Sequence, residues 1–339
     1  VNAHVRKSHF QIVLFIIHPI VKKNYVPLGC EFGPIFRENL SAQYKLLRYN
    51  KKHETKDKRG VIVKKIVYLI MLLTGILVGT IVARPVHAAT VNTPVTLYLH
   101  GHHGGPNSMM ALMASAEAAE HAHTVVTATV APNGAVRLTG DWPVNTRRPL
   151  VKVVFENNQT LNYDLISSWL RNVLVALQQK YQVHQFNIVA HSLGNAAVLF
   201  YELHHSADPH LPRLDKYVAI AGNFDGIPGQ HRDQHPNHTQ PNGKPAWQAP
   251  PYRQALALRH RLSLAHTDVL NIYGDWDRQQ HSDGKILNAS SRALKQVLGN
   301  KVHSYRAMRF VGWQTQHSQL RLNPRVAMAV DQFLWPTHS

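Results

Sequence analysis

Cysteine is almost missing: the 339-residue chain has one, Cys30. From residue 89 onward there is none, which excludes a disulfide framework and a thiol nucleophile there. Acidic residues are also scarce, 19 against 37 Lys and Arg, for a formal net charge of +18. The excess is uneven. Residues 1–88 hold 15 basic and 4 acidic side chains, leaving 22 and 15, a net +7, for residues 89–339. That remainder favours electrostatic association with an anionic cell wall or membrane surface. Nucleic acid is disfavoured as a partner, because no basic run in 89–339 is interleaved with aromatics. What the chain does have is apolar content, 44%, which excludes global disorder and supports a sizeable core. Its length allows one large or two ordinary domains, and no internal repeat is visible.

The longest apolar run lies near the start. Lys64 and Lys65 precede Ile66–Ala83, 18 uncharged and mostly apolar residues, and Val86-His87-Ala88 puts small residues at the two positions a signal peptidase reads. Residues 61–88 therefore read as a signal peptide, with an uncleaved signal anchor as the alternative, since 18 residues just suffice to span a bilayer. Either reading makes the rest secreted or cell-surface. Residues 1–60, basic and poorly suited to precede such a signal, read as a non-native or disordered N-terminal extension, or else as a cytoplasmic tail. An exported domain without disulfides fits a Gram-positive bacterium.

Residues 89–339 read as one domain in which strands and helices alternate. Strand patterns cover 94–101, 123–132, 149–157 (read as extending a hairpin), 186–190, 216–222, 268–274 and 302–312. Helical patterns cover 108–122, 161–183, 195–205, 290–299 and 324–335. Such alternation predicts an α/β fold with a mostly parallel central sheet and helices on both faces. Ligands then bind outside the carboxyl ends of the strands. The Pro-, Gly- and His-rich stretch 223–252 lacks periodicity and reads as an irregular, lid-like insert.

One turn carries a chemical signature. In "FNIVAHSLGN" a buried strand ends in Ala190-His191-Ser192-Leu193-Gly194 and a helix begins. This is the pattern of a nucleophile elbow, which exposes a serine hydroxyl at the top of a sheet. Ala190 stands where a glycine is usual and adds one methyl. A serine needs a base to take its proton, and developing negative charge on the substrate needs preorganised N–H donors. The backbone N–H of Leu193 is one candidate donor. "LYLHGHHGGPNS" after the first strand supplies the other, the N–H of His102. Metal binding by His100, His102 and His103 is the alternative use of that loop. Their spacing is irregular and no carboxylate is near, so neither a metal nor a cofactor is expected.

Acid and base should follow in that order after late strands. Asp275, Asp277 and Asp283 all follow the 268–274 strand; Asp283, in "SDGKI", is favoured because Gly284 permits a tight turn. Nineteen histidines follow Ala88, so position has to decide. His317 comes between the last strand and the last helix, whereas His303 lies within strand sequence and His338 in the tail. His191 is expected to pack or hydrogen-bond beneath the site. Asn195, where a small residue is frequent, is expected to narrow the approach or touch substrate.

With these residues in place, the chain from about 94 to 336 resembles the α/β-hydrolase superfamily. Within it, "LYLHGHHGG", "FNIVAHSLGN", "VLNIYGDWDRQQHSDGKI" and "TQHSQLRLNP" resemble the Gram-positive, Lactobacillus-type family of cell-surface hydrolases of unknown function. The resemblance implies the α/β-hydrolase fold, a triad of Ser192, Asp283 and His317, and lipase- or esterase-like activity. The expected function is an exported serine hydrolase cleaving a small-molecule or lipid carboxylic ester through an acyl-enzyme. An amidase or peptidase acting on wall material, and a non-catalytic surface-binding module on the same fold, are the alternatives.

Overall fold

The structure, a computed structural model, describes residues 94–143, 145–228 and 237–336. Cys30, the extension 1–60, the signal segment 61–88, His338 and the middle of the insert (229–236) lie outside the described residues. Among the described residues, no helix is long and apolar enough to cross a membrane.

Eight strands form one sheet in the order β3-β2-β4-β1-β5-β6-β7-β8. They are β1 (Val95–Leu99), β2 (His123–Val130), β3 (Val136–Thr139), β4 (Pro149–Phe155), β5 (Gln185–His191), β6 (Arg213–Ile220), β7 (Leu264–Asp275) and β8 (Val302–Val311). Only β2 and β3 pair antiparallel; the other neighbours run parallel. The central strands are buried on both faces, as their apolar runs require. Val95, Leu97 and Leu99 of β1 and Phe186, Ile188 and Ala190 of β5 face one core, shared with Trp169, Leu170 and Phe200. Tyr98 and Val189 face the other, shared with Met113 and Val330.

Seven helices are described: α1 (Met110–Glu120), α2 (Tyr163–Tyr181), α3 (Gly194–His205), α4 (Pro250–Leu258), α5 (Asn288–Arg292), α6 (Leu294–Leu298) and α7 (Pro324–Leu334). Helices α1 and α7 cover one face, while α2, α3, α4 and α6 cover the other. The longest, α2, starts where the Asn162 side chain accepts the N–H of Leu165 and ends at Gln182 in a left-handed conformation. Both are ordinary ways of satisfying helix-end groups.

Three details differ from the sequence reading. The hairpin partner of β2 is β3, left unassigned above, and not β4. The turn Ala131–Ala135 closes with Gly134 at φ +85°, a conformation glycine adopts without a Cβ penalty. The chain then returns so that β4 runs parallel between β2 and β1. The single helix expected over 290–299 is two short ones. The side chain of Asn271 on β7 donates to the Ser291 carbonyl, an acceptor that an unbroken helix would use for its own ladder. The last residues of the irregular insert, Pro250–Tyr252, are the first turn of α4, where proline is tolerated because its missing N–H would have no partner.

Buried Asp225 ties the two ends of that insert together. Its carboxylate accepts the Asn237 side-chain amide at 2.6 Å and the Ala249 N–H at 2.8 Å, while its own N–H donates to Ser290 on α5.

Candidate active site

Strand β5 runs through the middle of the sheet and stops at His191. The next residue, Ser192, has φ +53°, a left-handed conformation that is strained for a residue with a Cβ. Surrounding bonds hold it there. The Ser192 N–H donates to the Ile220 carbonyl at 2.9 Å, and its own carbonyl accepts from the Asn195 N–H at 2.9 Å. The Asn195 side chain completes the clamp: its amide donates to the Ser192 and Ile220 carbonyls, 3.0 Å each, and its Oδ1 accepts the Tyr217 hydroxyl at 2.9 Å. Asn195 is fully buried. The expectation that it narrows the approach or touches substrate is therefore wrong. A buried amide must satisfy its donors and acceptor internally, and this one does so beneath the turn.

Close packing explains the small residues. A Cβ on Gly194 would lie 2.7 Å from the His100 carbonyl oxygen, and one on Gly101 would lie 2.7 Å from Ser192 Cβ. Both glycines let the loop after β1 press against the elbow. The extra methyl of Ala190 is absorbed within the α2/α3-side core.

Ser192 meets His317, which follows β8. Its Oγ lies 3.0 Å from His317 Nε2, and His317 Nδ1 lies 2.7 Å from Asp283 Oδ2. All three side chains are buried. A carboxylate can only accept, so Nδ1 carries the proton and Nε2 turns its lone pair to the serine O–H. The other oxygen of Asp283 accepts the N–H groups of Lys285 (2.9 Å) and Ile286 (2.6 Å). The His317 N–H donates to the Asp283 carbonyl at 2.8 Å, so acid and base are joined through backbone as well. Gly274, at the end of β7, makes this approach feasible: a Cβ there would fall 2.1 Å from the Thr315 carbonyl oxygen and 3.1 Å from Asp283 Cβ.

The other two acids have separate employment. Asp277 Oδ1 accepts the N–H groups of Gln279 and Gln280, both at 3.0 Å, and caps its own turn. Asp275 is completely buried and sits 2.6 Å from the Arg309 guanidinium on β8. It forms no aligned hydrogen bond, so this is a charge contact. His303 pairs with Asp268 at the start of β8, near the opposite edge of the sheet.

The histidine-rich loop after β1 does structural work. His100 is buried; its Nε2 accepts the Phe155 N–H at 3.1 Å and its Nδ1 donates to the Gly101 carbonyl at 2.8 Å. Both ring nitrogens are occupied and burial lowers its pKa, so it stays neutral. Among the described residues, no group of three or more His, Cys, Asp or Glu could hold a metal ion. Loop 157–160, absent from the sequence reading, braces this segment. The Asn158 carbonyl accepts the His103 N–H at 2.8 Å, its side chain donates to the Gly104 carbonyl at 2.7 Å, and the Gln159 carbonyl accepts from His102 Nε2 at 3.1 Å. Among the described residues, no acceptor faces the backbone N–H of His102 or of Leu193.

His191 lies beneath His317. Its Nε2 donates to the His317 carbonyl at 3.0 Å, and the two rings are 4.8 Å apart. Burial, followed by the charges of His317 and Arg321, drives its pKa well below the usual value, so it remains a neutral donor. The arrangement as a whole can take a proton from a hydroxyl and hold the resulting imidazolium against a carboxylate.

Residues 85–337 match the family model described as α/β hydrolase of unknown function (DUF915). The chain belongs to this family. Two solved structures share the α/β-hydrolase fold. The lin2722 gene product of Listeria innocua aligns at TM-score 0.67 with 24% identity, covering 73% of this chain and 96% of that one. A Lactobacillus plantarum protein named as a cell-surface hydrolase aligns at TM-score 0.61 with 19% identity, covering 73% and 93%. No protein of curated function matches. Within this α/β hydrolase, the residues that sequence reasoning missed are the supports: His100, Asn158 and Gly274. Each acts through a contact distant in sequence, and only Gly274, a glycine ending an apolar strand, left a local trace.

Proposed function

We propose that this α/β hydrolase is an exported serine esterase that works through an acyl-enzyme on Ser192. The observation that carries the reading is the continuous chain Ser192 Oγ to His317 Nε2 to Asp283, at 3.0 and 2.7 Å. His317 accepts the Ser192 proton as Oγ attacks the ester carbonyl. Asp283 keeps the imidazole in the tautomer that can accept it and stabilises the imidazolium. The free N–H groups of Leu193 and His102 receive the oxyanion. His317 then protonates the departing alcohol, and water, deprotonated by the same nitrogen, releases the acid and restores Ser192.

Export rests on the basic-then-apolar pattern of residues 61–88, and association with an anionic wall or membrane surface rests on the basic excess. The direct test is hydrolysis of a short p-nitrophenyl ester. Ser192→Ala should lower kcat by about 10⁴-fold or more; unchanged turnover would contradict the assignment.

A further inference from the structure

We propose that this protein carries a second binding site, for a primary ammonium group on a short apolar stem, in a cavity at the end of the sheet remote from Ser192. The site is independent of the chemistry at Ser192. The cavity measures about 350 Å³ and lies where the central strands begin. His184 precedes β5, Arg213 opens β6 and Leu264 opens β7, and all three border it. Ser192 follows the far end of β5, which is seven residues long, so the two places are roughly 20 Å apart.

Glu202 on α3 borders this cavity and is only 4% exposed. Its Oε1 has no hydrogen-bond partner, and its carboxyl forms no salt bridge, among the described residues. Nearly all buried polar groups in folded proteins are paired, and an unpaired buried carboxyl costs stability. Burial pushes this one up to about 8. Such a group suits a ligand that brings N–H donors and a positive charge, because both favour the ionised carboxylate.

The surroundings favour the same charge. Helix α3 ends at His205, which also borders the cavity, so the negative end of the helix dipole lies there and stabilises a cation. Asp208 contributes a second acid to the lining. Burial lowers the His205 pKa, so that ring adds no competing charge near neutral pH. Arg213 and His184 are exposed, where solvent screens them, and neither forms a salt bridge with Glu202 or Asp208. Leu214 and Leu264 are buried members of the lining and fit an apolar stem. Apolar walls with a few placed polar groups are the usual form of a small-ligand site. Among the described residues no group of three or more His, Cys, Asp or Glu could hold a metal ion, so the cation is an organic one.

The test is calorimetric titration of the purified protein, at about pH 8, where Glu202 is half ionised, with butylammonium, butyltrimethylammonium and 1-butanol. Butylammonium should bind with a Kd of about 1 mM or tighter. The quaternary ion keeps the charge but has no N–H donor, and butanol keeps a donor but has no charge. Each should bind at least about tenfold more weakly. Glu202→Gln keeps the size of the side chain, removes an unpaired buried acid and is expected to fold. It should weaken butylammonium by about tenfold or more. Leu211→Trp, which fills the cavity from its lining and leaves Glu202 in place, should abolish binding and gives a second reading. Ser192→Ala should bind like the unaltered protein. No binding of butylammonium, equal binding of all three compounds, or unchanged butylammonium affinity in either Glu202→Gln or Leu211→Trp overturns the inference.

Discussion

The elbow and the acid–base loops reach the same point in opposite ways. Residues 186–205 form one continuous unit in which strand, turn and helix are nearly all buried, and Ser192 is held by groups on β5, β6 and α3. Residues 275–287 and 312–323 are surface loops from two strands, with exposed neighbours around a buried acid and a buried base. They are joined by two bonds, His317 N–H to the Asp283 carbonyl and the Asp283–His317 side-chain contact, and His191 on β5 holds the His317 carbonyl from below. The comparison shows where precision comes from. The geometry of Ser192 belongs to the folded core, so a lesion there should cost stability. The geometry of His317 belongs to a small hydrogen-bond network, so on the proposed mechanism a lesion there should cost rate.

The sharpest way to test that contrast is on the loop side. Asp283→Asn should lower kcat about 10³- to 10⁴-fold, because the amide can no longer hold the imidazole in the accepting tautomer. Asp277→Asn, whose side-chain oxygen can still cap the same turn, should change kcat by no more than about threefold. Equal losses in the two variants, read from initial rates on one ester, would break the distinction between a working acid and a turn cap.

On the elbow side, Asn195→Ala removes three buried hydrogen bonds and leaves the Tyr217 hydroxyl without its acceptor. Denaturant unfolding should show a loss of about 2–3 kcal/mol. KM should change little, because Asn195 lies beneath the turn and away from substrate. A large KM effect with unchanged stability would restore the discarded view of Asn195 as a pocket residue.

The same contrast explains what could be read from sequence. The elbow is local: a buried apolar strand, a small-x-Ser-x-Gly turn and a helix lie within twenty residues, so its type and place were legible. Element order and the parallel sheet were legible for a similar reason, since apolar runs and helical periodicity are local patterns. The short strand β3 was not, because four half-exposed residues carry little periodicity and only the Asn133-Gly134 turn marks them. Asn195 was misread because its partners, Ile220 and Tyr217, come from a neighbouring strand. The braces at His100 and Asn158 were invisible because their side chains bond to backbone more than fifty residues away, and Gly274 showed only as a glycine ending an apolar strand. Choosing Asp283 over Asp275 and Asp277 turned on one local cue, the glycine that follows it. The structure adds what the sequence could not supply, namely which acid is already engaged elsewhere.

The central claim is that His317, held by Asp283, activates Ser192. A fluorophosphonate probe reads it directly, because the probe bonds only to an activated serine and peptide mass spectrometry locates the adduct. The account predicts stoichiometric labelling of the peptide containing Ser192, and labelling at least about 10³-fold slower in His317→Ala. An unlabelled Ser192, or one labelled equally fast without His317, would contradict it.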